Sequence, residues 1–235
     1  MTEIRLNSRR TVFFLAAGIV FFAVCDLAVQ WSRYRLGHGN LLGLYDLFDL
    51  DSEANLPSWF ESLLFLIAAA QLYWIARVKK SASDRWAPYW KSLSFVFVVL
   101  SADEIVALHE KSIEPLRNLF HIHGGYLYFS WIILGAAFVL ALGFFYFRFL
   151  MSLPGRIRRD FVIAAVLFLG GAIVTEAFGG RYFALHEKNN LSYNLLVVVE
   201  EVLEMTGLWY WIRSLFLVLR DHEPSQGWNL TLKPR

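Results

Sequence analysis

The sequence predicts an all-α fold, a six-helix transmembrane bundle, and three observations carry that prediction. The 235 residues are 57% hydrophobic and only 18% charged, with 21 Phe, whereas a soluble domain averages about 45–50% apolar and about 25% charged. Apolar stretches of membrane-spanning length recur along the whole chain. The basic residues also partition between alternate connections, as the positive-inside rule requires. This composition excludes a soluble enzyme, a nucleic-acid binder and a disordered chain. Cys25, the single cysteine, excludes a disulfide framework, a Cys-based zinc site and an iron–sulfur cluster.

In chain order, the spans are expected at 11–31, 57–78, 88–109, 124–148, 160–179 and 192–219. Residues 1–219 form one transmembrane domain and 220–235 a cytoplasmic tail. The first span follows Ser8-Arg9-Arg10 and reads as an uncleaved helix with a positive flank rather than a signal peptide. Pro57 starts the second helix, Pro88 starts the third, and Pro115 closes an extension of the third. The fourth span, Gly124 to Phe147, is a charge-free run. Gly170-Gly171 and Gly179-Gly180 in and after the fifth permit close helix approach. Trp31, Trp59, Trp86, Trp90, Tyr126 and Tyr128 sit at span ends, where aromatic belts form.

With six spans, one side receives the N-terminal tail, the 79–91 and 148–160 regions and the C-terminal tail. That side holds 16 of the 22 Lys and Arg but only five of the 20 acids. Positive residues stay cytoplasmic, which places both termini inside.

Two outer segments repeat. Ala107-Leu108-His109-Glu110-Lys111 recurs as Ala184-Leu185-His186-Glu187-Lys188, and Arg181-Tyr182 is echoed by Arg33-Tyr34 before His38. The expectation is three helical hairpins running in parallel about an axis along the membrane normal, with His38, His109 and His186 on the outer side.

Carboxylates inside a membrane are costly and functional by default. This chain carries Asp26, Glu61, Asp103, Glu104, Glu176, Glu200, Glu201 and Glu204 toward the outer halves of its helices. Glu61, near a helix start, also reads as a charge favoured by the helix dipole, and Asp26 as the partner of a neighbouring Arg. Asp103 and Glu110 are seven apart, so on an unbroken helix they share a stripe. Glu200, Glu201 and Glu204 crowd one face and cannot all ionise without a counter-cation. His109 and His186, each followed by Glu, have the character of metal ligands with a carboxylate neighbour. The candidate metal set is therefore Asp103, Glu104, His109, Glu110, Glu176, His186, Glu200, Glu201 and Glu204. Mixed oxygen and nitrogen donors suit Fe, Mn or Zn. Glu104 and His109 are five apart, about 140° around a helix, so a common metal requires an irregular outer turn. No P-loop, dinucleotide fingerprint, HExxH or Glu-x-x-His motif is present.

Ser101-Ala102-Asp103-Glu104-Ile105-Val106-Ala107-Leu108-His109-Glu110 is found with Glu200-Glu201-Val202-Leu203-Glu204 and with Asp49-Leu50-Asp51-Ser52-Glu53 leading to Pro57 and Trp59. This combination resembles a widespread group of uncharacterised bacterial multi-pass inner-membrane proteins. The resemblance covers about Asp49 to Trp211 and implies location without implying an activity.

Three functional expectations follow. The first is a divalent-metal site in the outer half of the bundle, with chemistry available through a bound water or a redox metal. The second is a cation- or proton-conducting transporter or channel, and the third a structural subunit of a larger membrane complex. The lipid bilayer is the expected partner and nucleic acid is not. A homo-oligomer or a membrane-complex partner is compatible with all three.

Overall fold

The computed structural model describes residues 4–6, 8–186, 190–222 and 228–230. The order along the chain begins with β1 (Ile4–Leu6), α1 (Ser8–Arg35), a 3₁₀ turn at Leu41–Gly43 and α2 (Leu44–Phe48). There follow α3 (Leu56–Ser81), α4 (Ala87–Val106), α5 (Leu108–Lys111), α6 (Ile113–Phe120) and α7 (Trp131–Ser152). The chain continues through α8 (Gly155–Leu169), a π-helical stretch at Gly170–Thr175, α9 (Glu176–His186), α10 (Leu191–His222) and β2 (Trp228–Leu230). The strands pair antiparallel, Ile4 with Leu230 and Leu6 with Trp228, so the two ends of the chain lie together.

The protein is helical and carries membrane-spanning character. Among the described residues, Ser8–Arg35, Leu56–Ser81, Trp131–Ser152 and Gly155–His186 are long and apolar enough to cross a membrane. Ala87–Val106 with Leu108–Phe120 makes a fifth if that pair, bent by 67°, is one span. α10 is 32 residues long but carries the three glutamates and is not among them.

Several expected boundaries are corrected. The third helix does not run to His109. It ends at Val106, and Ala107 adopts a left-handed conformation (φ 51°, ψ 47°). Pro115 lies within the first turn of α6 rather than closing an extension. The fourth helix begins at Trp131, not residue 124. Gly125 at φ +85° opens a turn in which Tyr128 N donates to Gly125 O. Trp90, expected at the interface, is buried at 2% exposure and meets Phe149 edge-on. Trp59, by contrast, is 60% exposed.

The packing centre is α3, α4, α8 and α10, with α1 against α10. Leu64, Ala68, Leu72, Met205, Ile212 and Leu215 are fully enclosed there. The α3–α4 hairpin is pinned by the Ser62 and Ser101 hydroxyls, 2.8 Å apart. Ser94 Oγ donates to Ala69 O further in. α10 approaches α8 at Gly207, where an added Cβ would lie 2.6 Å from Phe168 N and 2.9 Å from Ala164 O. α7 stands apart. Of its 22 residues only Ile132, near the N-terminal end, and Phe149, near the C-terminal end, are buried.

The repeated pentapeptide does not have a repeated conformation. Ala107 breaks a helix, whereas Ala184 to His186 continue α9. Glu187 and Lys188 lie outside the described residues.

Gly207→Ala should destabilise the protein by about 1–3 kcal/mol, because the new methyl meets backbone that cannot yield. Gly143→Ala on α7, with no atom within 4 Å of the added Cβ, should be neutral or slightly stabilising. Thermal unfolding in detergent micelles measures both.

Candidate metal centre and acidic cavity

Three local devices bring the acids together. The first is the break at Ala107. On a continuous helix His109 would point away from Glu104, but the left-handed residue turns the chain back. His109 N then donates to Asp103 Oδ1 at 3.2 Å, and His109 Nδ1 lies 2.8 Å from Asp103 Oδ2. The carboxylate fixes the ring and leaves Nε2 free. Trp131 packs edge-on against the imidazole, centroids 4.8 Å apart. The helix is therefore irregular between Glu104 and His109, and the break also interrupts the expected Asp103/Glu110 stripe.

The second device is a clasp that holds the loop before α3 over the bundle. Asp26 and Asp49 are buried, and Gln30 Nε2 donates to both, at 3.2 Å and 2.9 Å. Leu50 N donates to Asp26 Oδ1. Asp26 thus pairs with Gln30 and a backbone amide, not with the expected Arg. Asn55 caps α3 through a reciprocal exchange with Ser58 and donates to Asp49 O. Tyr193 OH, from α10, donates to Asp51 Oδ1 at 2.9 Å. This loop delivers Asp51 and Glu53 to the site.

The third device is the π-helical stretch at Gly170–Thr175, which widens the helix just before Glu176. It lets α10 come close: a Cβ on Gly171 would lie 2.6 Å from both Glu200 O and Glu204 Cγ. Trp131 Nε1 donates to Glu176 Oε1 at 2.8 Å. Glu176 and Glu200 are in hydrogen-bonding contact, as are Glu61 and Glu201. Such carboxyl pairs hold together only by sharing a proton or a cation.

The result is a cavity of about 600 Å³ that runs from this acidic end into an apolar interior. Asp51, Glu53, Asp103, Glu104, Glu110, Glu176, Glu200, Glu201 and Glu204 line it with His109, and no Lys or Arg among the described residues does. Eight of the nine expected site residues therefore meet. His186 does not: it is exposed and stacks on Tyr182 at 4.4 Å.

Three acids outside the expected set belong to the cluster. Glu61, counted among the intramembrane acids and also readable as a dipole-favoured helix-end charge, is 1% exposed. Its Oε1 has no hydrogen-bond partner, and Glu104, Glu204 and Glu201 act on it electrostatically. Asp51 and Glu53 come from the Asp49–Glu53 segment, whose signal in the sequence was its acid spacing before Pro57. One ligand atom each from Glu53, His109 and Glu110 falls within 4.8 Å of the others, close enough for a single ion. Glu53 Oε2 is buried without a partner. Burial pushes the Glu53 carboxyl up to about 7, with His109 acting in the opposite direction.

Glu53 thus holds a proton in the metal-free folded protein that the unfolded chain releases at lower pH. Its contribution to stability is present below its unfolded value and is lost as pH rises toward about 7. Thermal unfolding in chelator should show this decline between pH 5 and pH 8, and Glu53→Gln should flatten it.

Comparison with curated proteins and with solved structures yields no significant match. A family model does match residues 11–218, nearly the whole helical region and every acid of the cavity. The chain belongs to the family described as a domain of unknown function, DUF8692.

Proposed function

We propose that this is a six-span inner-membrane protein that binds a divalent metal ion, Fe, Mn or Zn, in the outer half of its bundle. The observation that carries this reading is the Glu53–His109–Glu110 convergence within 4.8 Å, with His109 oriented by Asp103 at 2.8 Å. A carboxylate holding one imidazole nitrogen while the other faces a metal is the usual support of a ligating histidine. Glu53, His109 and Glu110 would hold the ion, which would supply hydrolytic chemistry by making a bound water more acidic. The ion would also offset part of the negative charge of the cavity.

A proton-conducting role is the second reading. It is favoured by the linked carboxyls, Glu61 with Glu201 and Glu176 with Glu200, which can pass protons along α10. The inner half gives it little support. Between Glu204 and the buried Asp160, which lies 3.5 Å from Tyr210 OH, the cavity wall is apolar apart from Tyr146 and the indole of Trp211.

The six-span topology is supported by the pairing of the two chain ends and by the charge partition between alternate connections. Reporter fusions after Leu153 and at the C-terminus should both report the cytoplasm. A periplasmic signal from either would refute the orientation.

Metal analysis should find one transition-metal ion per chain. His109→Ala and Glu53→Gln should abolish stoichiometric binding, while Asp103→Asn should weaken it about 10–100-fold. Binding should fail on acidification, as the ligands take up protons. Wild-type protein that takes up no Fe, Mn or Zn in calorimetric titration would overturn the metal reading. Acidification of proteoliposomes by wild-type but not Glu201→Gln protein would favour the second reading.

A further inference from the structure

The inner part of the cavity is not explained by a metal site. α7 is buried only near its two ends, at Ile132 and Phe149, and Tyr146 OH meets Ser92 Oγ of α4 at 2.8 Å. Between those ends a stripe of small and apolar residues, including Gly135, Val139, Leu142 and Gly143, faces the cavity. The opposite side of α7 faces outward, with Leu140 74% and Phe144 90% exposed. Gly143 has no atom within 4 Å of the place a side chain would take. Across the gap stand Leu93 and Phe97 of α4 and Val162 and Leu169 of α8. An apolar space at this depth of a membrane is filled by hydrocarbon rather than by water.

The outer end selects what that hydrocarbon carries. Among the described residues nine carboxyl-bearing side chains and no Lys or Arg line the cavity, so the complementary head is a cation. Glu53, His109 and Glu110 converge within 4.8 Å of one another. Glu104, Glu176, Glu200, Glu201 and Glu204 line the same cavity, and Glu61, which interacts with Glu104, Glu201 and Glu204, has an enclosed Oε1 with no partner. An ammonium group supplies three donors to such a set.

We propose that the cavity binds a long-chain amine amphiphile drawn from the bilayer, its hydrocarbon chain between α4, α7 and α8 and its ammonium head among Glu176, Glu200, Glu201 and Glu204. This goes beyond the metal reading and does not rest on it.

The test uses the full chain in phosphatidylcholine nanodiscs with chelator present, so its outcome is independent of metal binding by the His109 triad. The probe is hexadecylamine bearing a mid-chain diazirine, with the same chain ending in a carboxylate or a hydroxyl for comparison. After photolysis, labelled peptides are mapped by mass spectrometry. The amine should label Val139 and Leu142 about fivefold or more over Leu140 and Phe144, and unlabelled hexadecylamine should compete it away. The amine should exceed the carboxylate about tenfold, and Glu200→Gln with Glu204→Gln should erase most of that preference. Gly143→Trp should fill the cleft and remove the label, while Gly143→Ala retains it. Equal labelling of the two sides of α7, failure of hexadecylamine to compete, or equal labelling by amine and carboxylate chains would overturn the proposal. The competition arm needs no variant, so it decides even if Gly143→Trp fails to fold.

Discussion

The structure is organised around the cost of holding carboxyl groups at membrane depth. An isolated acid facing lipid is penalised by a few kcal/mol even on insertion scales. The helices that carry Glu61, Glu104, Glu176, Glu200, Glu201 and Glu204 turn them to one shared interior, where contacts between acids replace contacts with lipid. That requirement explains which helices must touch. α10 supplies three of the acids and packs against α1, α3 and α8, and its approach to the π-helical segment depends on Gly171 having no side chain. A regular helix there would turn the residues after the Gly pair differently and move Glu176 relative to Glu200.

The break at Ala107 is the second determinant. A β-branched or bulky residue tolerates a left-handed conformation poorly, and alanine keeps that penalty modest. The gain is a short-range loop in which one carboxylate, Asp103, accepts from both the backbone and the ring of His109. The histidine is thereby fixed against the end of α4, within reach of Glu53 and Glu110. The Asp26–Gln30–Asp49 clasp does the corresponding work for the loop that carries Asp51 and Glu53. Its members are buried, so they act by position. The metal reading and the open cleft beside α7 share this frame: polar groups are rigidly gathered at one end, while one helix is left loosely packed along its middle.

Much of this was legible in the sequence. Composition, apolar run length and the partition of basic residues determined a helical membrane protein, because the bilayer admits few other solutions for such a chain. The acids were legible as a cluster for the same reason, because a carboxylate left facing lipid is costly. Eight of the nine residues named from spacing alone do meet in one cavity. Helix starts at Pro57 and Pro88 were also readable, since proline lacks the donor that the first turn does not need.

Other features were decided only in three dimensions. His109 and His186 have the same local sequence, yet one follows a helix break and lines the cavity while the other ends a helix and faces out. Five residues do not determine a backbone when Ala, Leu, His, Glu and Lys all tolerate a helix. The difference comes from Asp103, six residues from His109, and from Trp131, which arrives from another helix. Glu61 reads as a helix-end charge until α4 and α10 enclose it, and Glu53 reads as a loop acid until the clasp folds it inward. The cleft beside α7 has no sequence signature, because an apolar helix has the same composition whether its face meets protein, lipid or a bound chain. Sequence determines which groups the membrane forces together. The tertiary contacts decide which of them face one another and what space they leave.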